Sequence, residues 1–112
     1  MANNRVILQW NCRGLRANRA ELDQLIVEHK FPAVLCLQET MLDARIENNQ
    51  DDINKLPSFV KIRNYKGYFK CIPSGRNGIA IYVHNIIFHS PVKLKTSLQA
   101  LGIRITSNIK SS

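Results

Sequence analysis

Two short apolar runs, each ending abruptly in polar residues, constrain this chain more than any other feature. The first run, Val6–Trp10, is followed by Asn11, and the second, Val34–Gln38, is followed by Glu39. Both runs are rich in Val, Ile and Leu, which is typical of strands buried on both faces. If the two strands are parallel neighbours, their carboxyl ends meet at one edge of a sheet, and the amide of Asn11 then lies beside the carboxylate of Glu39.

The segment between the two runs has a helical pattern. Asn18 and Glu21 resemble a capping box with Asn in place of Ser or Thr. Residues at helical spacing then form one face of the predicted helix: Leu22, Leu25, Ile26 and His29. Pro32 ends the helix or its connection. Strand, helix and strand in this order predict a βαβ unit, whose crossover places both strands parallel.

The charge balance favours a polyanionic partner. The 112 residues include 16 Lys and Arg against 8 Asp and Glu, a formal net charge of +8 with a sequence pI near 9.8. Nucleic acid is the commonest polyanion for such a chain, although basic domains without such a partner also occur. A hydrophobic fraction of 45% argues against disorder. No apolar run reaches the roughly 18 residues of a membrane span, so no membrane partner is expected.

The cysteines number three and show no metal-site spacing: Cys12, Cys36 and Cys71. We expect free, partly buried thiols in a reducing, intracellular compartment.

The remaining chain predicts a loop and then several strands. Met41–Ser58 is polar and broken, which predicts a loop with one helical turn; its acids leave a second metal site open as an alternative to a solvated surface. Tyr65–Val83 predicts an antiparallel hairpin around the turn residues Pro73–Gly78. A short strand over Ile86–Phe88 and a half-buried strand over Leu98–Ile105 follow.

The predicted hairpin combines basic and aromatic side chains. Lys66, Lys70 and Arg76 accompany Tyr65 and Tyr68, a mixture that suits nucleic-acid phosphates together with base stacking. An ordinary hairpin with solvated lysines explains the same pattern, and the residues alone leave both readings open.

Four segments of this chain resemble one known family. Val-Ile-Leu-Gln-Trp-Asn-Cys-Arg-Gly-Leu and Ala-Val-Leu-Cys-Leu-Gln-Glu-Thr resemble the opening of the endonuclease/exonuclease/phosphatase superfamily. Within it, the chain looks most like the endonuclease domain of non-LTR retrotransposons of the jockey-like insect type, which precedes a reverse transcriptase. Gly-Ile-Ala-Ile-Tyr-Val and Leu-Gln-Ala-Leu-Gly-Ile-Arg-Ile also resemble that group in order and spacing, so the resemblance covers nearly the whole chain.

The resemblance implies an α/β fold, a partial four-layered α/β sandwich (DNase I-like) of which only the N-terminal half is present. Motifs of the family's second half, which supply an Asp, an Asn and a catalytic His, are missing from this sequence, and no Asp follows Asp52. We therefore expect a single partial domain over residues 1–112 with its C-terminal half absent. Half a sandwich exposes apolar surface, so a second chain or self-association is expected to cover it.

The resemblance also implies an activity and a site. Glu39 would be a ligand of Mg²⁺ (or Mn²⁺), and Asn11 would lie beside the metal and the scissile phosphate, both in catalytic roles. The partner would be DNA and the location nuclear. Residues expected to contact nucleic acid are Arg13, Lys70, Arg76 and Asn77. In the hairpin the family more often has Gly-Gly, where this chain has Asn77-Gly78, which makes that correspondence less exact.

These observations leave four functional hypotheses. The first is a fragment of a Mg²⁺-dependent DNA endonuclease from a retrotransposon-type protein, inactive alone because the His and Asp motifs are missing. The second is a basic nucleic-acid-binding remnant without catalysis. The third is a branch of the superfamily that acts on phosphoinositides or nucleotides, and the fourth is a relic with no function.

Overall fold

The computed structural model describes residues 3–72, 76–94 and 100–106, with side chains from residue 5 onward. Its helices and strands, in chain order, are β1 (Asn3–Asn11), α1 (Arg19–Glu28), β2 (Pro32–Gln38), α2 (Ala44–Asn48), β3 (Tyr65–Lys70), β4 (Ile79–His84), β5 (His89–Val92) and β6 (Gly102–Ile105). Short 3-10 turns over Ile53–Lys55 and Ser58–Val60 lie between α2 and β3. Among the helices of these residues, none is long and apolar enough to cross a membrane.

Four strands form one mixed sheet in the order β1-β2-β4-β3. β1 and β2 are parallel, and β4 pairs antiparallel with both β2 and β3. The predicted βαβ unit and the predicted hairpin are thus confirmed. β5 and β6 form a second, two-stranded antiparallel sheet. The register places four residues in one row across an end of the larger sheet: Asn11, Gln38, Ile79 and Lys70.

One face of the four-stranded sheet carries the main core. Alternate strand residues point to this face because side chains in a strand alternate with a period of two. Leu22 and Ile26, one turn apart on α1, pack there and are buried, as the helical spacing predicts. The hydroxyl of the fully buried Tyr82 donates to the carbonyl of Val60 at 2.7 Å, so the ring is buried without an unsatisfied polar atom.

The opposite face of the sheet is only partly covered. Val34, Val83 and Ile87 are buried there, and Ile103 of β6 packs against them. Ile7 on β1 is 64% exposed. The prediction of a strand buried on both faces is therefore confirmed for β2 and wrong for β1. β1 is an edge strand of its sheet, so it lacks the neighbours that cover the centre.

The predicted capping box at α1 is wrong. The side chain of Asn18 makes no capping bond to the helix. Its amide instead donates to the carbonyl of Cys12 at 2.7 Å and to that of Arg13 at 3.3 Å. Asn18 therefore ties the loop after β1 to the start of α1.

The strand predicted over Ile86–Phe88 is also wrong. These residues form the turn after β4, closed by the N–H of Ile87 donating to the carbonyl of His84 at 2.9 Å. The strand begins only at His89. Of the strand predicted over Leu98–Ile105, Gly102–Ile105 is confirmed as β6, while residues 98–99 lie outside the described residues.

Alkaline pH is expected to destabilise the fold through Tyr65. Burial raises the pKa of Tyr65 to about 12, against about 10 for an exposed tyrosine. Below pH 10 both states keep the proton; as the pH rises toward 12, the unfolded chain releases it first and stability falls. This two-unit difference corresponds to at most about 2.7 kcal/mol. Urea unfolding at pH 8 and pH 11 should show a smaller loss for Tyr65→Phe than for the wild type, and equal losses would contradict the assignment.

Candidate active site at the carboxyl end of the sheet

Asn11 and Glu39 lie side by side at the carboxyl ends of β1 and β2. Asn11 is the last residue of β1, and Glu39 directly follows β2. The amide Nδ2 of Asn11 donates a hydrogen bond to Oε2 of Glu39. Asn11 is exposed and Glu39 half-buried, so solvent and ligands can reach both side chains. The predicted juxtaposition is therefore present, while the catalytic and metal-binding roles of the two residues stay predictions.

The backbone of Glu39 is held in an unusual conformation. Its φ is +51°, in the left-handed region that side chains other than glycine rarely adopt. Three backbone hydrogen bonds fix it. The N–H of Gly14 donates to the Glu39 carbonyl at 2.7 Å, and the N–H groups of Thr40 and Met41 donate to the carbonyls of the two residues before β4, Gly78 at 3.1 Å and Asn77 at 2.7 Å. A strained backbone of this kind persists only where the surrounding structure holds it in place, and here it sets the direction of the Glu39 side chain.

Gly78 allows the start of β4 to approach the Glu39 loop. Its φ is +93°, and a Cβ built there would lie 2.7 Å from Oγ1 of Thr40. Thr40 is only 1% exposed, and its Oγ1 has no hydrogen-bond partner among the described residues. The sequence predicted a turn at Asn77-Gly78, and both residues do have positive φ. Sequence reasoning missed that Gly78 is also required by this close packing.

The four residues predicted to contact nucleic acid have different surroundings. Arg13 is exposed in the loop directly after β1, and Arg76 is exposed before β4. Lys70 shares the row of Asn11 across the sheet, with Nζ 3.6 Å from a carboxylate oxygen of Glu47. The carbonyl of Asn77 accepts from the Met41 N–H, close to Glu39. Their contacts with nucleic acid stay predictions.

The ligand atoms at the Asn11–Glu39 pair suit a hard divalent cation. Carboxylate and amide oxygens are ligands that Mg²⁺ accepts, usually from one or two side chains with water and substrate oxygens completing the shell. In the described part of the chain, no group of three or more His, Cys, Asp or Glu residues could hold a metal ion. The pair therefore fits a Mg²⁺ or Mn²⁺ that keeps several waters, and does not fit a closed protein cage.

The acids of the loop over residues 41–58 have structural roles. Asp43 caps α2 by accepting from the N–H of Arg45 at 2.9 Å, and the hydrogen bonds from Arg45 hold the pKa of Asp43 below its usual range. Asp52 accepts from the N–H of Asn54, and Glu47 from that of Cys71. Three of the loop's acids thus support the local backbone, while a second metal site in this loop stays an alternative that the structure does not test.

The contacts of His84, His89 and the cysteines explain these residues without a metal site. Burial lowers the pKa of His84, which lies against the Tyr65 ring, and His89 is hydrogen-bonded to the Tyr68 hydroxyl at 2.7 Å. All three cysteines are free, as predicted. Cys12 lies beside Asn11, but burial raises its pKa, so its thiol is not activated as a nucleophile.

A groove of about 660 Å³ opens beside this site, and sequence reasoning missed it. Met41, which follows the Glu39–Thr40 pair, lines it together with Arg16 and residues of the 42–59 segment. The basic side chains of the groove are far apart in the sequence, and only the folding of the long loop after β2 brings them together. The one local signal is Arg16, which closely follows the loop at Gly14.

Comparisons with known proteins agree on one family. A sequence profile described as "Endonuclease/Exonuclease/phosphatase family" matches residues 8–104. Recombination repair protein 1 of Drosophila melanogaster is 33% identical over 81 residues, which cover 70% of this chain and 10% of that protein. The AP endonuclease of Archaeoglobus fulgidus is 25% identical with a TM-score of 0.52, covering 84% of this chain and 31% of that one.

A second solved structure supports the fold alone. The catalytic domain of Xenopus laevis APE2 is 24% identical with a TM-score of 0.51, covering 72% of this chain and 24% of that one. The predicted fold class, part of a DNase I-like α/β sandwich, is confirmed. The chain spans a tenth of the curated relative's length and a third or less of each solved chain.

Proposed function

This chain belongs to the endonuclease/exonuclease/phosphatase family, and we propose that it is part of a metal-dependent endonuclease that hydrolyses phosphodiester bonds of DNA. The observation that carries this proposal is the contact between the Asn11 amide and the Glu39 carboxylate at the carboxyl end of two parallel strands. This is where ligands bind in open α/β sheets. The net charge of +8 supports DNA as the partner.

The two side chains have complementary roles in this proposal. Glu39 and the amide oxygen of Asn11 would hold Mg²⁺ or Mn²⁺, which when bound polarises a phosphoryl oxygen and stabilises the leaving group. The hydrogen bond from Asn11 orients the Glu39 carboxylate, and the bonds to Gly14 and to the start of β4 fix the backbone that carries it. The chain thus presents its ligands already positioned, which avoids an ordering cost when the metal binds.

The finer proposal is a retrotransposon-type endonuclease of the jockey-like kind, for which the motifs Gln-Glu-Thr and Gly-Ile-Ala-Ile-Tyr-Val are the support. We further propose that the chain is inactive by itself, because the described residues form no group of three or more His, Cys, Asp or Glu side chains that could hold a metal ion. A second chain or a second copy would cover the open sheet face around Ile7. A nuclear location follows from the retrotransposon role and is proposed with it.

Replacing Glu39 by glutamine is expected to weaken Mn²⁺ binding at least tenfold, or about 1.4 kcal/mol, because the charged ligand is lost while the shape is kept. Calorimetric titration of the purified chain measures this. Glu21→Gln, on the exposed surface of α1, is the matched control and should bind like the wild type. Identical titration curves for the wild type and Glu39→Gln would contradict the metal site.

The same proteins test activity in a plasmid-nicking assay with Mg²⁺. We expect no nicking by any of them. Nicking by the wild type that disappears in Glu39→Gln would mean that the chain assembles a working site, and would refute the proposed inactivity while supporting the endonuclease assignment.

A nucleic-acid-binding module without catalysis is the second candidate function, and the charge of +8 favours it. Binding of this kind depends on phosphate contacts, so it weakens steeply with salt. Two results together would support this candidate over the endonuclease fragment. The wild type and Glu39→Gln would bind DNA equally and with the same salt dependence, and the wild type would bind no Mn²⁺.

A further inference from the structure

The groove beside the Glu39 loop has an apolar base and a basic rim. Leu42 and Ile46 are buried beneath it, and Leu56 is half-buried. Its volume of about 660 Å³ lies within the range of roughly 300–1,000 Å³ typical of sites for small ligands. The groove is therefore large enough for one nucleotide.

The electrostatics of the groove favour an anion. Among its lining residues, the carboxylate of Asp43 is paired with Arg45, with N and O atoms 2.9 Å apart. Arg16 and Lys55 also line the groove, and neither has a carboxylate partner among the described residues. Two cations thus remain available for a ligand, and phosphate is an anion that both Arg and Lys bind well.

An aromatic ring lies beside one of these cations. The guanidinium carbon of Arg16 lies 5.6 Å from the centre of the Phe59 ring, which is half-buried against the core. Arginine planes and aromatic rings are the surfaces on which unpaired bases stack. A guanidinium held over a ring keeps its N–H groups free at the edge, where they can donate to a phosphate.

We propose that this groove binds one unpaired nucleotide of a nucleic-acid strand, with the phosphate held by Arg16 and Lys55 and the base against the neighbouring Arg16 and Phe59 side chains. A base in a duplex keeps its faces stacked on its neighbours, so a duplex can use only the phosphate contacts. The groove therefore selects single-stranded or locally opened nucleic acid. Met41, two residues after Glu39, lines the groove, so the groove lies next to the proposed metal site. This inference therefore rests on the proposed nuclease function and adds a subsite to it.

The test is fluorescence anisotropy with labelled oligothymidylate and with a duplex of the same length, at several salt concentrations. The variants are Arg16→Gln/Lys55→Gln and, as a matched control, Arg63→Gln, which is exposed and lines no part of the groove. We expect the double variant to bind the single strand at least tenfold more weakly, with the salt slope reduced by about 0.7 for the one phosphate that is no longer neutralised. The control should match the wild type.

Phe59→Leu tests the base contact while keeping apolar packing against the core. We expect it to weaken single-strand binding several-fold and to leave duplex binding and the salt slope unchanged. Circular dichroism melts of each variant show whether the fold is retained.

Three results would refute the proposed nucleotide subsite, and a fourth would also refute the proposed nuclease function. A double variant that binds like Arg63→Gln would rule out Arg16 and Lys55 as the phosphate contacts. Equal losses of single-strand and duplex binding in Phe59→Leu would rule out the contact with an unpaired base. Polyglutamate that displaces the strand as well as unlabelled oligothymidylate does would identify an acidic polypeptide as the ligand. A wild type that binds neither form of DNA refutes the proposed function together with the groove.

Discussion

Gly67→Ala should lower the free energy of unfolding by about 2 kcal/mol and the Tm by roughly 10 °C. A Cβ at Gly67 would lie 2.8 Å from Cζ of Phe69 and 2.8 Å from Cε2 of Tyr82. Both rings are 1% exposed and packed edge to face, with centres 5.6 Å apart. The Tyr82 hydroxyl is further fixed to the Val60 carbonyl, so neither ring can move aside cheaply.

The lower chain entropy of alanine in the unfolded state offsets part of this cost, by about 0.4–1 kcal/mol. Gly102→Ala in β6 is the matched control, because its Cβ would lie 3.4 Å from the nearest atom, a side-chain carbon of Val92. Thermal and urea unfolding should place this control within about 0.5 kcal/mol of the wild type. If both variants unfold like the wild type, the two rings are not held as rigidly as the structure shows.

Gly78→Ala is expected to weaken Mn²⁺ binding at least tenfold, without touching a metal ligand, and to destabilise the fold by about 2 kcal/mol. The new Cβ would lie 2.7 Å from Oγ1 of the buried Thr40, and the backbone φ of +93° is itself strained for alanine. Since Thr40 directly follows Glu39, relieving the clash moves the carboxylate away from Asn11. Calorimetric Mn²⁺ titration and urea unfolding measure the two effects.

Two further variants separate the clash from the backbone strain. Gly14 has a φ of +103°, but the nearest atom to its Cβ, a side-chain carbon of Met41, is 3.8 Å away, so Gly14→Ala has the strain without the clash. It should lose stability and keep most of its Mn²⁺ affinity. Thr40→Ala/Gly78→Ala removes the clashing oxygen and should recover binding. If the double variant binds no better than Gly78→Ala, contact with Thr40 is not how Gly78 positions Glu39.

The sequence predicted the position of Asn11 and Glu39 because their placement depends on short-range rules. Strand length, the helical spacing of Leu22 and Ile26, and the parallel geometry of a βαβ unit together bring the two strand ends to one edge. The same rules wrongly predicted that both faces of β1 are buried. The residues around Ile7 are as apolar as those of a central strand, so composition does not reveal that β1 lies at the edge of the sheet.

Features that depend on tertiary contacts could not be read from the sequence. Asn18 has the right neighbours for a helix cap, yet its amide bonds to loop carbonyls that only folding brings near. The strand after β4 starts at His89 and includes Pro91, which is tolerated because β5 has only β6 as a partner in the described sheet. Arg16 and Lys55 line the same groove because the irregular segment after β2 folds back beside the loop after β1. That segment has no periodic sequence pattern from which its path could be predicted.

If Glu39 binds the metal as proposed, its left-handed backbone sets ligand binding against stability. A glycine at this position would adopt a φ of +51° without the steric cost of about 1–2 kcal/mol that another residue incurs. The fold alone would therefore favour a residue that binds no cation. Selection of variants for heat resistance alone would favour loss of this carboxylate, so a thermostable version of this chain has to be screened for ligand binding at the same time.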